Sequence, residues 1–499
     1  MNHTTIFNNQ TIPISQIPEI SYDDFFELNA GFVTETADRH CVSYFGYPVG
    51  QEIKLICCMA DDPSHVIHIS SCLVSPTGNL ASLTTGNFCF EKFEREIHEN
   101  FGIGFTGHPW LKPVRYPHDR KDPLQTIANY PFYGIQSEEL HEVGVGPIHA
   151  GVIEPGHFRF ICNGEQILHL EIQLGYQHRG IESLFLSNSK LSGRVQLAES
   201  IAGDNVAGHA IAFASVWESL CGYQVPPEVD FSRTVALELE RIAVHTGDLS
   251  AACADVAHQL GGAVFGRLRT PIVNFFQEWC GNRLSKGLIR PGCNQFPFTP
   301  DLAQRLLEVL KAFEPEFIEI NAAIFSLPSA LSRFERTGAV SFENTLSIGS
   351  VGMAARASGL NRDIRSSHPH SLYPSLQHEP ITKRHGDVYS RLQVRKEEVR
   401  QSIKYLRELM TRVPHGKQEP GLSGLPQPDS FALSLVEGWR GEICHCAVTG
   451  AGGELLKYKV KDPSFHNWMA LAMAVRNNEI SDFPVVNKSF NLSYCGHDL

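Results

Sequence analysis

The chain has 499 residues, 42% of them hydrophobic, which is enough to bury large cores in more than one domain. Its net charge of -12 and pI near 6.0, without long runs of Lys and Arg, argue against nucleic acid as a partner. No run of about 18 apolar residues occurs, so we expect neither a membrane span nor a signal peptide. The thirteen cysteines lack the spacing of a secreted framework, which favours the reducing cytoplasm.

The first part of the chain, residues 1–130, predicts a domain of strands and at least one helix. Residues 53–59 are nearly all apolar, as a buried strand would be. A helix is predicted over 90–100 and is ended by Gly102. A linker without periodicity is expected at 131–146, so we place the domain boundary there.

The second domain, residues 146–499, is predicted to open with a β-hairpin and to continue as helices. Apolar alternation in 158–162 and 166–172 flanks Asn163-Gly164, a dipeptide that accepts the positive φ angles of a tight primed turn. The pattern then predicts an α+β fold whose bulk is a helical bundle. Three segments are spaced to bury one helical face: 210–220, 232–244 and 302–312.

Two separated segments resemble the metal-ligand segments of membrane-linked [NiFe]-hydrogenase large subunits. Residues 199–205, followed by His209 and Glu218, are similar to the first of these, and Asp462-Pro463-Ser464 is similar to the final Asp-Pro-Cys-x-x-Cys. Ordered matches from residue 146 onward are not expected by chance. Five further segments resemble that family or its relative, the 49 kDa (D) subunit of complex I: Gly146–His149, Gly175–Glu182, Arg290–Gly292, Ala355–Gly359 and Gly386–Arg391.

The N-terminal domain has a resemblance of its own. Residues 93–98, 101–103 and 107–113 are similar to the end of the 30 kDa (C) subunit of complex I. In energy-converting hydrogenases of the formate-hydrogenlyase type (group 4), this domain is fused ahead of the catalytic one. The resemblance therefore implies a 30 kDa-type α/β domain, followed by a mainly helical, hydrogenase-large-subunit-like domain with a small β-hairpin region.

The thiol ligands of the hydrogenase family are missing from this sequence. A nickel-iron centre needs four soft thiolates, supplied as two Cys-x-x-Cys pairs. The resemblance therefore implies a chain that binds no Ni-Fe centre, and a [4Fe-4S] cluster is expected only in a partner subunit. The four corresponding positions are Ala202, Asn205, Ser464 and Asn467.

Two residues are candidates for catalysis by resemblance. Glu154 resembles the hydrogenase glutamate that passes protons to and from the metal, and a carboxyl group in a partly dry cavity suits that task. The alternative is a structural carboxylate that caps a turn. Arg440 resembles the arginine over the diatomic ligands, and the alternative for it is a buried pair with a carboxylate.

Four residues are candidates for lining a cofactor or ligand cavity. His149 matches the first histidine of the complex I Gly-Pro-x-His-x-x-x-His loop, whereas Ile153 replaces the second, which weakens a quinone site of that type. His209 is either a cavity residue or a satisfied core histidine. An unrelated arrangement could bind a polar ligand through Asp204, Asn205, His209, Ser464 and His466. Three of these, Asp204, His209 and His466, could hold zinc if they converge.

Arginines in the matched motifs suggest a contact with a cluster-bearing partner. Arg290 and Arg356 lie, by resemblance, near the small Fe-S subunit, where a cation would raise the reduction potential of a cluster. The alternative is that each is a solvated cation at a turn.

Three functions remain open from the sequence. The first is a subunit of a complex I-like or energy-converting-hydrogenase-related complex, which lines a cavity beside a partner cluster and couples electron transfer to ion translocation. The second is a subunit of an NAD(P)H-quinone oxidoreductase with a rearranged quinone site, and the third is a redox-inert scaffold. The expected partners are a small Fe-S subunit of the complex I B type, a membrane subunit of the H type and antiporter-like subunits. We expect a peripheral location on the cytoplasmic membrane.

Overall fold

The computed structural model describes residues 2–149, 152–414, 421–422 and 424–499. Strands form three small sheets and two two-stranded ladders in this part of the chain. The strands are β1 (Thr4–Ile6), β2 (Thr11–Pro13), β3 (Arg39–Val49), β4 (Glu52–Asp61), β5 (Val66–Val74), β6 (Asn79–Ala81), β7 (Gly104–Thr106), β8 (His141–Val145), β9 (His157–Asn163), β10 (Gln166–Gln173), β11 (Ile289–Arg290), β12 (Cys293–Asn294), β13 (Ser430–Glu437), β14 (Glu442–Thr449) and β15 (Leu455–Lys461).

Most of the helical residues lie in the second half of the chain. No helix among the described residues is both long enough and apolar enough to cross a bilayer. The α-helices are α1 (Tyr22–Glu35), α2 (Glu91–Phe101), α3 (Ile181–Ser187), α4 (Leu191–Ala198), α5 (Val206–Leu220), α6 (Pro227–Asp255), α7 (Gln259–Cys280), α8 (Pro300–Ile324), α9 (Pro328–Phe334), α10 (Phe342–Ser347), α11 (Gly352–Ala357), α12 (Ile364–Ser367), α13 (Val388–Met410), α14 (Ser464–Ala474), α15 (Phe483–Phe490) and α16 (Tyr494–Asp498).

The N-terminal sheet is antiparallel, in the order β1-β5-β4-β3, and both of its faces are covered. One face packs against α1 and α2, and the core between them includes Cys57. The other face, which includes Cys58, packs against β13 and β14. Burial on both faces explains why β4 is a continuous apolar run, and the predicted strand over 53–59 is confirmed.

The predicted helix of the N-terminal part is also confirmed. It is α2, and Gly102 follows it with a φ of 79° while its N–H bonds to the carbonyl of His98. A left-handed residue at this position closes the helix end, and glycine adopts it without strain.

The N-terminal residues also complete a sheet in the C-terminal half. Strand β2 pairs antiparallel with β13, with Ile12 opposite Phe431, in the sheet order β15-β14-β13-β2. A second link is a contact of 2.7 Å between His40 Nε2 and Glu442 Oε2 in the buried interface. The two predicted domains thus share a core and a sheet.

The predicted hairpin is present, with its turn one residue later than expected. In β9 and β10, Asn163 lies opposite Gln166, so Gly164 and Glu165 are the central residues and Gly164 has a φ of 57°. Strand β8 pairs with β9 inside the segment that the sequence predicted as a linker. The linker prediction is therefore wrong for residues 141–145.

The three predicted helices are confirmed and belong to longer elements. They are α5, α6 and α8, and α6 packs against α7 and α13 to build the largest hydrophobic core. Helix α5 packs against β13 and β14, so its first turn faces the connection between these strands. The fold is α+β, as predicted.

Candidate functional site

The positions that correspond to thiolate ligands lie at the starts of two helices. His209 of α5 and Asp462, two residues before α14, bring these starts together, because His209 Nε2 lies 3.0 Å from Asp462 Oδ2. Ala202 and Asn205 precede α5, and Ser464 and Asn467 lie in the first turn of α14. The side chains at these four positions are at most 1% exposed.

These four residues do not fit a nickel-iron centre. Ala202 has no donor atom, and Asn467 is fully engaged by Val351: its Oδ1 accepts from the Val351 N–H and its Nδ2 donates to the Val351 carbonyl, each at 3.1 Å. Ser464 Oγ accepts from the Ser493 N–H at 2.9 Å. Because nickel-iron binding requires soft thiolates, this set does not offer the required ligand type.

Asn205 differs from the other three positions. It is the N-cap residue of α5, yet neither atom of its buried amide has a hydrogen-bond partner in the described part of the chain. The amide lies against Gly208 and Gly438, and an added Cβ at either glycine would lie within 2.8 Å of an Asn205 amide atom. The absence of side chains at these glycines makes room for Asn205.

Arg440 and Asp204 form an ion pair beside the emptied ligand positions. Arg440 Nη1 donates to Asp204 Oδ1 at 2.7 Å and Nη2 donates to Oδ2 at 2.5 Å. Burial disfavours the guanidinium charge, but the Asp204 carboxylate outweighs burial and raises the pKa of Arg440. The geometry matches the buried arginine-carboxylate pair that the sequence left open as an alternative.

Two further contacts fix this pair. Arg440 Nε donates to the carbonyl of Asn491 at 2.6 Å, and Trp439 Nε1 donates to the carbonyl of Asp204 at 2.7 Å. The Arg440 guanidinium also lies 4.0 Å from the centre of the Trp439 ring. Arg440 is 3% exposed, whereas the Asp204 side chain is 37% exposed, so the pair connects the interior with the surface.

His209 lies in a buried chain of polar groups. Its Nδ1 is 3.1 Å from His445 Nε2, and His445 Nδ1 is 2.8 Å from the Tyr458 hydroxyl. Both ring nitrogens of His209 have partners, His445 and Asp462, as in a satisfied core histidine. Burial raises the pKa of Asp462, but the contact with His209 opposes burial and the net pKa of Asp462 is lowered.

His466 lies apart from Asp204 and His209. Its ring contacts Phe93 and Phe465, at centroid distances of 5.4 and 6.2 Å, and its Nε2 has no partner among the described residues. Burial lowers its pKa well below the usual value. No group of three or more His, Cys, Asp or Glu in the described residues is arranged to hold a metal, so the zinc alternative has no ligand set there.

Glu154 lies on the same side of the molecule as the Asp204 loop. Gln177 Nε2 donates to Glu154 Oε2 at 2.6 Å. The thiol of Cys495 interacts with both Glu154 and the backbone of Gly203, and burial, the largest influence, raises the pKa of that thiol. We call Glu154, Cys495, Gly203 and Asp204 the rim. His149 is exposed on the adjoining loop, next to residues 150–151, which lie outside the described residues.

Sequence reasoning missed Glu240, a carboxyl group on α6 beneath the Asp204 loop. Its Oε2 accepts from the Ala207 N–H at 2.8 Å and its Oε1 from the Gly208 N–H at 3.4 Å, at the start of α5. A helix start favours an ionised carboxylate, but burial outweighs it and raises the pKa of Glu240 to about 8. The sequence carried one signal for a buried carboxyl group here, which is an acidic residue within the apolar helical pattern of 232–244.

Arg356 is fully buried, so its interpretation as a solvated cation is wrong. Its Nη1 donates to Glu398 Oε1 at 3.0 Å and its Nη2 to Glu437 Oε1 at 3.4 Å. Arg365 also pairs with Glu398. Long helix α13 carries Glu398 against helix α11, which holds Arg356, and a local motif cannot reveal this packing. Arg290, in contrast, is partly exposed.

Two family descriptions match the chain. "Respiratory-chain NADH dehydrogenase, 30 Kd subunit" matches residues 33–131, and "Respiratory-chain NADH dehydrogenase, 49 Kd subunit" matches residues 258–423. The resemblance to a 30 kDa domain fused ahead of a 49 kDa domain is therefore confirmed.

Similar proteins come from both groups that the motifs indicated. "Hydrogenase-4 component G" of Escherichia coli (strain K12) is 26% identical over 419 residues, which cover 80% of this chain and 72% of that protein. The D subunit of NADH-quinone oxidoreductase from Dehalococcoides mccartyi is 30% identical over 363 residues, which cover 70% of this chain and 96% of that protein.

A solved structure has the same fold over most of the chain. It is a chain of the membrane-bound sulfane sulfur reductase, described as an archaeal respiratory membrane complex. The TM-score is 0.68 at 21% sequence identity, and the match covers 74% of this chain and 100% of that one.

Proposed function

The chain belongs to the family of the 49 kDa subunit of respiratory-chain NADH dehydrogenase, with a 30 kDa-type domain fused ahead of it, and we propose that it works as an electron-transfer subunit without a metal centre of its own. It is a subunit of a membrane-bound respiratory complex related to complex I and the hydrogenases. In our proposal, it forms the wall of a site that faces a [4Fe-4S] cluster held by a partner subunit.

The observation that carries the proposal is the state of the four ligand positions. Each has lost its thiol, and the hydrogen bonds of Asn467 to Val351 and of Ser464 to Ser493 use the polar atoms that replaced two of them. The Asp204–Arg440 pair uses the cation that a diatomic ligand would contact. These contacts support a role in which the chemistry takes place on a partner's cofactor.

The rim is the part of this site that a partner could reach. Asp204 is 37% exposed at the side chain and Glu154 is partly exposed, whereas His209 and Arg440 are buried. We propose that a small Fe-S subunit of the B type covers the rim and that Glu154 exchanges protons there as electrons arrive. Carboxyl groups suit that task because they change charge readily when an adjacent charge changes.

Coupling to ion movement would require membrane subunits of the H type and antiporter-like subunits. The described residues contain no helix suited to crossing a bilayer. We propose a peripheral position for this chain on the cytoplasmic side of the membrane, attached through those partners. Because some relatives are subunits of NADH-quinone oxidoreductase, a quinone is the alternative electron acceptor.

Metal analysis of the anaerobically purified complex, by elemental mass spectrometry, tests the proposal first. We expect iron and no nickel. Nickel near one atom per complex would contradict the proposal, because it would require ligands other than the four positions identified above.

Quinone reduction by the same complex distinguishes the electron acceptor. Inhibitor-sensitive quinone reduction would favour the quinone oxidoreductase alternative. A complex that assembles and retains full activity with Glu154→Gln and Arg440→Met would instead favour a redox-inert scaffold.

A further inference from the structure

A cavity of about 140 Å³ lies between the N-terminal part of the chain and the second domain. Helix α2 contributes Lys92, strand β10 contributes His169, and helix α14 contributes Trp468 and Ala472. Trp110 of the N-terminal part forms another side. We call this space the interdomain cavity.

Lys92 is a half-buried lysine without a carboxylate partner among the described residues. Its Nζ donates to the carbonyl of Phe465 at 2.7 Å, and no carboxylate oxygen of the described residues lies within 4.0 Å of it. Burial lowers the pKa of Lys92 to about 7; Glu91 opposes this shift, and Arg95 and Arg115 add to it. An anion bound beside Lys92 would supply the missing countercharge.

Two ring nitrogens in the cavity wall also lack partners. Trp468 is 2% exposed, and its Nε1 has no hydrogen-bond acceptor among the described residues. His169 Nε2 is likewise buried without a partner there. Buried N–H groups are almost always paired in folded proteins, so the Trp468 indole N–H points to an acceptor that the described residues do not provide.

The one carboxylate in the described wall is already engaged on both oxygens. Lys112 Nζ donates to Glu171 Oε1 at 2.7 Å, and the Tyr133 N–H donates to Glu171 Oε2 at 2.7 Å. Glu171 therefore does not neutralise Lys92. Lys92 Nζ and Trp468 Nε1 are both donors, which selects for a ligand that carries an acceptor.

The size and the apolar walls restrict the ligand further. A dry cavity of about 150 Å³ holds one benzene molecule, so the interdomain cavity accepts one ring-sized body. Trp110, Leu174 and Met469 supply apolar surface around it. The Phe465 carbonyl, to which Lys92 donates, lies on the same helix as Trp468 and one turn before it.

We propose that the interdomain cavity binds a small organic anion, a ring-sized apolar body that carries a single carboxylate. The carboxylate accepts hydrogen bonds from Lys92 Nζ and Trp468 Nε1, and the apolar body packs against Trp110 and Leu174. Because residues of both domains form the wall, such a ligand stabilises the contact between them.

Ligand-observed NMR titration of the purified full-length chain tests this proposal, with benzoate as the probe and benzyl alcohol as its neutral counterpart. We expect benzoate to saturate a single site and to bind more tightly than benzyl alcohol. Lys92→Met should weaken benzoate binding about tenfold or more, because a charge-assisted hydrogen bond is lost. Binding of benzyl alcohol should change little.

Two further variants test the location of the site. Ala472→Leu adds bulk to the cavity wall and should abolish binding of both probes, while Lys311→Met, at an exposed position of α8, should change neither. Thermal unfolding checks that each variant is folded. Benzoate binding of wild-type strength in folded Lys92→Met or in Ala472→Leu, or no benzoate binding by the wild-type chain, would overturn the proposal.

Discussion

Arg440 and Asp204 face each other in a two-point contact, with Nη1 to Oδ1 at 2.7 Å and Nη2 to Oδ2 at 2.5 Å. The pair ties the loop before α5 to the connection between β13 and β14. It thereby holds the guanidinium group at the edge of the emptied ligand positions.

Removing the charge of Asp204 should destabilise the protein. In Asp204→Asn, Arg440 stays buried without its counter-ion, and such a change is strongly destabilising in a dry interior. Because the Asp204 side chain is 37% exposed, solvent reduces the penalty, and we expect a loss of about 1–3 kcal/mol. Urea unfolding measures this loss in the free energy of unfolding. Glu308→Gln, on the exposed face of α8, is the matched control and should stay within about 0.5 kcal/mol.

The amide of Asn467 should be needed for stability at a former ligand position. Asn467→Ala leaves the buried N–H and carbonyl of Val351 unpaired, so we expect a loss of about 2–4 kcal/mol in the free energy of unfolding. Asn344→Ala, at an exposed position of α10, is the control. Equal stabilities of the two variants would show that the Val351 contacts contribute nothing.

Glu240 should make stability depend on pH. Its pKa in the folded chain is about 8, compared with 4.5 as its ordinary value, so the folded state binds more protons between these pH values. The contribution of Glu240 therefore falls as pH rises from about 4.5 to 8, by up to about 1.4 kcal/mol per pH unit. Glu240→Gln removes this dependence.

Urea unfolding at several pH values in this window checks the sign. The free energy of unfolding of Glu240→Gln, minus that of the wild type, should increase with pH. For Glu308→Gln the same difference should stay constant. A pH-independent difference for Glu240→Gln would mean that Glu240 is ionised in the folded chain at neutral pH.

Glu154 should be needed for turnover and dispensable for assembly, if it exchanges protons at the rim. Glu154→Gln keeps the hydrogen-bonding shape but not the acid, and we expect turnover of the purified complex to fall about tenfold or more. Glu139→Gln, at an exposed position ahead of β8, should be unaffected. Unchanged turnover in an intact Glu154→Gln complex would argue for the scaffold alternative.

Local patterns predicted the secondary structure well where burial is periodic. The strand over 53–59, helix α2 and the hairpin of β9 and β10 all follow from short-range spacing and turn chemistry. The turn lies at Gly164-Glu165 because the ladder register, and not the Asn-Gly dipeptide, fixes its centre. Strand β8 was missed because one neighbouring strand supports it and its side chains are largely exposed.

Contacts between distant segments could not be predicted from such patterns. Strand β2 pairs with β13 across more than half of the chain, and Arg356 meets Glu398 through the packing of α13. Neither pairing has a local signature. They arise because tertiary packing satisfies backbone and charged groups that burial would otherwise leave unpaired.

The family motifs can be read from the sequence, and so can the absence of cysteine at the four positions that resemble nickel-iron ligands, because a side chain such as that of Ala202 has no donor atom in any fold. What these side chains contact depends on the three-dimensional arrangement. Packing pairs Asp204 with Arg440, engages Asn467 with Val351 and leaves donors unpaired in the interdomain cavity. The physical reason is that hydrogen bonding and desolvation act between neighbours in space, and those neighbours are set by packing.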